Sequence, residues 1–217
     1  MKRNICLFFK GICFLLLFVI WTILIQIVDV KPSGVAGSNV GFSTMNCWFH
    51  KLTGVHMWIY TVTDWLGLVP VFICIVFGVV GLVQLIKRRD LFKVDASILL
   101  LGIYYILVIV AYLAFEMLPI NYRPVLIDGR LEQSYPSSTT LLVLSVMPTF
   151  VYQIKGRISD RLCVNVLTYI AMLFAGLMVF GRLVAGVHWL TDIVGSILIS
   201  AGLFCIYKAT VLLCEKE

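Results

Sequence analysis

The stretch GRLVAGVHWLTDIVGS, residues 181–196, places three ionisable side chains in one of the most apolar parts of the chain. They are Arg182, His188 and Asp192. A charged group in a membrane segment is costly and commonly marks a functional site. His188 and Asp192 are four positions apart, so a helix that begins near His188 presents both on one face. A hydrogen bond between them fixes the imidazole tautomer and leaves the other ring nitrogen available as base or nucleophile.

The composition of the whole chain is that of an integral membrane protein. Of its 217 residues, 61% are hydrophobic and only 13% are charged, whereas soluble domains are about half apolar and about a quarter charged. The net charge of +6 comes from Lys and Arg scattered over short loops. This distribution indicates membrane topology and no nucleic-acid partner.

Six apolar segments approach the roughly 20 residues needed to cross a bilayer. They are Leu7–Val28, Leu66–Ile86, Ser97–Phe115, Ser138–Gln153, Leu162–Phe180 and Trp189–Leu213. We therefore predict an all-α protein, a six-transmembrane helix bundle formed by a single domain over residues 1–217. Residues 29–65, the longest connection, are predicted to form a partly ordered cap on the outer surface.

The positions of Lys and Arg predict the orientation in the membrane. Most of these 17 residues fall near the termini and in the loops KRRDLFK (87–93) and KGRISDR (155–161). Cytoplasmic loops carry such an excess, so both termini are predicted to be cytoplasmic in a multi-pass plasma-membrane protein. The other side receives Lys31, Lys51, Arg123, Arg130 and Arg182. His188, Asp192 and the polar loop 120–140 lie there too, so the candidate site faces outside.

Several groups on the outer side suit a phosphate. Arg123 and Arg182 lie beside apolar spans, and a guanidinium offers a planar fork of donors to phosphate oxygens. YPSSTT (135–140) places Ser137, Ser138 and Thr139 at the start of a helix, whose free N–H groups bind anions. Each feature alone has a simpler explanation, since Ser and Thr cap helices and Arg near a span reaches lipid head groups. Their convergence on one face predicts a phosphate-handling site.

These residues resemble the signatures of the type-2 phosphatidic acid phosphatase superfamily, which are K-x6-R-P, P-S-G-H and S-R-x5-H-x3-D. GRLVAGVHWLTD matches the third signature at Arg182, His188 and Asp192, with Gly181 in place of its serine. RP at 123–124 matches the end of the first signature, and PS at 136–137 the start of the second. The resemblance covers the chain from the third span onward, with the motifs between about 116 and 196, and implies the six-span membrane fold of that superfamily.

The resemblance implies hydrolysis of a lipid phosphate in two steps. In such enzymes the histidine of the third motif attacks phosphorus, and water then cleaves the phosphohistidine. By this analogy His188 is the nucleophile, Asp192 orients it, and Arg123, Arg182 and Ser137 hold the phosphoryl oxygens. Fixed cationic donors suit the charge that develops on those oxygens. This chemistry needs no metal and no organic cofactor, and its partners are a phosphorylated lipid substrate and the surrounding membrane lipids.

Two positions depart from the signatures. Glu116 stands where the first motif has lysine, and Thr139 stands where the second has histidine, with Ser138 replacing its glycine. In the family that histidine protonates the leaving group. Threonine is a far weaker acid, and general-acid help is typically worth about 10²–10⁴-fold.

Three explanations of the missing histidine stay open at this point. Another group supplies the proton, with Tyr135, Glu116 and Glu132 as the candidates. Or the substrate has a good leaving group, which favours a polyprenyl diphosphate over a phosphatidate-type monoester. Or the protein is a catalytically silent phospholipid-binding or transport protein of the same fold.

Overall fold

The computed structural model describes residues 2–214, with side chains from Asn4 onward. Its helices are α1 (Lys2–Ile27), α2 (Ser43–Thr53), α3 (Met57–Leu66), α4 (Leu68–Arg88), α5 (Ala96–Met117), α6 (Ser138–Arg157), α7 (Arg161–Val184) and α8 (Leu190–Cys214). Short 3₁₀ turns occupy Val35–Gly37 and Leu91–Lys93. Between residues 2 and 214 the only extended pairing consists of isolated bridges. The prediction of an all-α protein is confirmed.

Five stretches of the described chain are long and apolar enough to cross a membrane. They are Asn4–Ile27, Met57–Arg88, Ala96–Met117, Arg161–Val184 and Leu190–Cys214. The chain is therefore a multi-pass membrane protein. The remaining predicted span corresponds to α6, which has 20 residues but is not among the five, so a count of six is not confirmed. Helix α6 contains several Ser and Thr residues, and it packs against α4, α5, α7 and α8.

Helix α6 carries a proline in its interior, and polar side chains surround it. Pro148 has no N–H group and disturbs the hydrogen bonds of the preceding turn. The Thr149 hydroxyl contacts the carbonyl oxygens of Ser145 and Val146 at 3.1 and 2.8 Å, and the Tyr104 hydroxyl donates to Ser145 O at 3.2 Å. Protein groups thus contact the Thr149 hydroxyl and the Ser145 carbonyl in the least apolar long helix.

Helices α1 and α8 pair antiparallel along their lengths. At one end Asn4 Nδ2 donates to Leu212 O at 3.0 Å, and at the other Trp21 Nε1 donates to Thr191 O at 3.1 Å. The two helices approach so closely that a Cβ at Gly202 would lie 2.7 Å from a leucine side chain of α1. This pairing holds the start of α8, which carries the HWLTD sequence, against the end of α1.

The bundle has two unlike ends. One end gathers the α5–α6 loop, the α7–α8 turn and residues 29–65, which were predicted to be a partly ordered cap and contain α2 and most of α3. At the other end, Asp95 pairs with Arg88 at 2.9 Å and with Arg157 at 3.0 Å. Lys216 and the side chains of Lys2 and Arg3, which entered the charge argument for orientation, lie outside the described residues.

Candidate active site

The turn between α7 and α8 brings His188 to the start of α8. Gly186 has a φ of +70°, and a Cβ there would collide with the carbonyl oxygen of Gly54, so glycine is required. His56 N donates to Ala185 O at 3.0 Å, which fixes the α2–α3 loop on this turn.

His188 lies between two guanidinium groups. Its Nε2 is 3.3 Å from Arg123 Nη1 and 3.2 Å from Arg182 Nη2. Guanidinium nitrogens only donate hydrogen bonds, so Nε2 accepts and the ring proton resides on Nδ1. Nδ1 donates it to the carbonyl oxygen of Ser134 at 3.0 Å. The lone pair of Nε2 therefore points at two fixed cations, which is where a nucleophile for phosphorus belongs.

Asp192 orients the start of α8 more directly than it orients the imidazole. Its Oδ2 lies 3.6 Å from His188 Nδ1, beyond hydrogen-bond distance, and the Ser134 carbonyl occupies that donor. The same oxygen accepts from Trp189 N at 2.9 Å, the reciprocal half of a capping box, and Asn121 Nδ2 donates to Oδ1 at 3.4 Å. The carboxylate thus anchors the backbone that carries His188.

The pKa of His188 lies well below its usual value. The ring is in the turn between the α7 and α8 spans, where burial is the main cause and the positive charges of Arg123 and Arg182 act in the same direction. The charged imidazolium is disfavoured by both effects. His188 therefore stays neutral, with Nε2 unprotonated, at pH values where an ordinary histidine is already protonated.

This lowered pKa predicts that His188 in the unliganded protein remains the neutral Nδ1–H tautomer at pH 5.5. An imidazole with an ordinary pKa of about 6.5 would be about nine-tenths protonated there. The measurement is the ¹⁵N spectrum of histidine-labelled protein in detergent between pH 8 and 5. The His188 signals are assigned by their loss in His188→Ala. Protonation of those signals near pH 6.5 would contradict the prediction.

Arg123 is presented by the hairpin-like loop between α5 and α6. Asp128 and Gly129 form its tip with φ values of +49° and +74°, as a tight D-G turn requires. Arg123 N donates to Glu132 O at 2.9 Å, and Arg123 Nε lies 3.0 Å from Glu132 Oε2. Glu132, a candidate proton donor from the sequence, is thus the counter-ion of Arg123.

Arg182 is almost completely buried, and residues of α3 contact its guanidinium group. Its guanidinium stacks on the Tyr60 ring at 4.8 Å, and Nη1 lies 3.5 Å from Thr63 Oγ1 and 3.7 Å from Asp64 Oδ1. A Cβ at position 181 would lie 2.8 Å from the Thr63 methyl. Close packing of α3 on α7 therefore explains why glycine precedes the arginine where the signature has serine.

The start of α6 contributes its hydroxyl residues unequally. Ser137 is fully buried, and its hydroxyl donates to Thr140 Oγ1 at 3.0 Å, which ties the helix start together. Ser138 lines a small polar pocket with Arg123 and His188. Ser138 and Thr139 both line an adjoining, mainly apolar groove. Of the three hydroxyl residues, Ser138 is thus the one that lines the pocket with the histidine.

The other two candidate proton donors occupy different surroundings. Tyr135 is buried, its hydroxyl lies 2.7 Å from Thr22 Oγ1 on α1, and burial raises its pKa. Glu116 lines the same polar pocket as Arg123 and His188. Tyr135 also lines this pocket, and the two candidates differ in that the Tyr135 hydroxyl contacts α1.

The adjoining groove is open to the side of the bundle. It is lined mainly by apolar residues of α4, α5 and α6, and Ser138, Tyr112 and Leu141 line both the groove and the polar pocket. The polar pocket, with Arg123 and Glu116 in its lining, therefore shares residues with an apolar groove between α4, α5 and α6.

A family model described as the PAP2 superfamily matches residues 11–214. The chain belongs to the PAP2 superfamily. It is thus a membrane member of a phosphatase family, and its resemblance in the motifs is confirmed at that level. The search of curated proteins found no match.

A solved structure shares the fold of this PAP2 chain. It is described as the crystal structure of the first transmembrane PAP2 type phosphatidylglycerolphosphate phosphatase from Bacillus subtilis. The TM-score is 0.63 at 18% sequence identity, and the match covers 96% of this chain and 98% of the other. At this identity the likeness concerns the fold.

Several residues of the PAP2 site were not predicted from the sequence. They are Tyr60, Thr63, Asp64, Asn121 and Ser134. Ser134 acts through its carbonyl oxygen, which no side-chain pattern reveals. Asp64 could have been found from the sequence, because it is a charged residue beside an apolar segment, as Arg182 is.

Proposed function

We propose that this protein hydrolyses a phosphate ester or anhydride of a lipid through a phosphohistidine on His188. The observation that carries the proposal is the position of Nε2, 3.3 and 3.2 Å from the guanidinium nitrogens of Arg123 and Arg182. A phosphoryl group between the two arginines would receive donors on its equatorial oxygens with the imidazole lone pair aimed at phosphorus. Fixed donors of this kind stabilise the charge of the transition state.

In this mechanism the surrounding residues divide the remaining tasks. Ser134 O holds the Nδ1 proton, and Asp192 fixes the backbone before α8. The N-terminus of α6 adds backbone N–H groups beside Ser138, which suit a phosphoryl oxygen. Attack by Nε2 forms the P–N bond and expels the leaving group, and water then returns the enzyme to its starting state.

The apolar groove supports a lipid as the substrate. It joins the polar pocket at Ser138 and lies between α4, α5 and α6. Leu68 and Ile109, which line it, are exposed on the bundle surface that faces the membrane. A phosphate in the pocket would place the attached chain in this groove.

The membrane placement follows from the same proposal. Helix α6 serves as the sixth span, both termini are cytoplasmic, and the site opens on the outer face of the plasma membrane. The excess of Lys and Arg in the α4–α5 and α6–α7 loops, at the end of the bundle opposite His188, supports this orientation.

A diphosphate is the favoured substrate class because Thr139 cannot replace an acidic imidazole. The leaving group of a diphosphate is a phosphate or phosphomonoester, which needs less protonation than an alkoxide. We expect undecaprenyl diphosphate to be cleaved faster than phosphatidate and phosphatidylglycerophosphate, and Thr139→His to accelerate the monoesters by about 10–10². Phosphate release by purified protein in detergent measures both effects.

The same three lipids also distinguish an enzyme from a catalytically silent lipid-binding or transport protein. Equal rates on diphosphates and monoesters in the unmodified protein would contradict the leaving-group argument. Release from none of the lipids, with retained binding, would favour a silent lipid-binding or transport protein. The conservative variant Thr139→Ser is the matched control and should leave the ratio of the two substrate classes unchanged.

A further inference from the structure

The second half of the proposed reaction lacks an assigned proton acceptor. Hydrolysis of a phosphohistidine requires a group that takes a proton from the attacking water. Glu132 is paired with Arg123 in the loop, the Tyr135 hydroxyl contacts α1, and Glu116 lines the polar pocket beside Arg123. Thr139, at the position where the family has histidine, offers only a hydroxyl.

Asp64 lies on the opposite side of Arg182 from His188. Its Oδ1 is 3.7 Å from Arg182 Nη1, and Arg182 Nη2 is 3.2 Å from His188 Nε2. One guanidinium therefore separates this carboxylate from the nucleophilic nitrogen. Asp64 and His188 are thus neighbours of the same guanidinium group.

The surroundings of Asp64 also place it beside the residue that replaces the missing histidine. Asp64, Ser138 and Thr139 line the same groove. Gly67 N donates to Asp64 O at 3.0 Å, and a Cβ on Gly67 would lie 3.7 Å from Thr139 Cγ2. The helical turn that carries Asp64 thus packs directly on Thr139.

Exposure distinguishes Asp64 from the other members of the site. Its side chain is 60% exposed, whereas that of Arg182 is 1% exposed. Water therefore reaches the carboxylate from the groove side while the arginine stays dry. Asp64 is therefore a carboxylate beside Arg182 that water can reach.

We propose that Asp64 is the general base for hydrolysis of the phosphohistidine. The inference rests on the proposed function. Asp64 takes one proton from water as the water oxygen bonds to phosphorus and the P–N bond breaks. The electron pair of that bond returns to Nε2, inorganic phosphate leaves, and Asp64 then releases the proton to solvent.

The test is a rapid-quench experiment on Asp64→Asn with a lipid diphosphate labelled with ³²P in its terminal phosphate. The label is followed as inorganic phosphate and as acid-labile, base-stable phosphoprotein. We expect phosphohistidine formation to stay within about threefold of the unmodified protein. Its breakdown should slow by about 10², so that label accumulates on nearly every enzyme molecule after a stoichiometric burst of leaving group.

Two matched variants accompany this experiment. Asp128→Asn, at the exposed tip of the α5–α6 loop, removes another exposed carboxylate and should behave as the unmodified protein. Asp64→Glu, which keeps the carboxylate, should recover at least a tenth of the lost breakdown rate. Recovery with Glu and accumulation with Asn together support the base.

The outcomes separate the two proposals. If Asp64→Asn slows formation and breakdown equally, Asp64 only positions Arg182 and the general-base role is overturned. If the variant breaks down its phosphohistidine at the normal rate, the role is overturned while the lipid phosphatase proposal stands. If phosphate is released without any labelled histidine in the unmodified protein, both proposals fail at the first chemical step.

Discussion

Replacing His188 by alanine is expected to reduce phosphate release by about 10⁴-fold or more, to the background of the assay. The alanine removes Nε2, the acceptor that faces both guanidinium groups at 3.2–3.3 Å. It leaves Arg123 and Arg182 in place, so the variant should still bind the lipid phosphate. The measurement is phosphate release from the best substrate of the panel, together with binding of the same lipid.

The matched control is His56→Ala. The His56 ring contacts Thr53 O at 2.9 Å within the α2–α3 loop and does not reach the pocket, so its loss should change the rate by less than about twofold. A thermal unfolding curve for each variant separates lost chemistry from lost fold. Unchanged release by a folded His188→Ala protein would remove the histidine from the mechanism.

Replacing Arg182 by lysine is expected to lower kcat/KM by about 10³-fold although the charge is kept. The guanidinium contacts His188, Thr63 and Asp64 from different nitrogens and stacks on Tyr60. An ammonium is a single point charge that cannot reach these partners together. Loss of one fixed donor to a developing oxyanion typically costs about 10²–10³-fold, and loss of stacking adds to it.

Arg130→Lys provides the comparison, because Arg130 is exposed at the tip of the α5–α6 loop. Its substitution should leave kcat/KM within about twofold. Steady-state kinetics of both variants, with unfolding curves, make the measurement. Near-normal activity in Arg182→Lys would mean that the fork geometry of this arginine is unimportant and that charge alone is used.

The fold was predictable where long apolar segments of the sequence form the helices. The start of α6 at Ser138 agrees with the sequence prediction, because Pro136 and the hydroxyl residues mark a helix start. Its polar middle, with Pro148, leaves α6 outside the five candidate spans. A hydropathy pattern reports a helix surrounded by lipid, and α6 is surrounded by other helices.

The site was predictable where one motif carries several groups at fixed spacing. Arg182 and His188 come from one short turn, and their contact follows from local geometry. The contribution of α3 was not predictable, because Tyr60 and Asp64 reach Arg182 only through the packing of α3 on α7. The hydrogen bond that holds the imidazole ends on the backbone oxygen of Ser134, which any residue there would supply.

The pairing of α1 with α8 has a consequence for biosynthesis. The hydrogen bond between Asn4 and Leu212 joins residues 208 positions apart. Helices α2 to α7 are therefore all synthesised before α1 can meet its partner, and α8 is also the helix that brings His188 to the arginines. In the proposed mechanism, the step that pairs α1 with α8 is therefore also the step that brings the proposed nucleophile to the arginines.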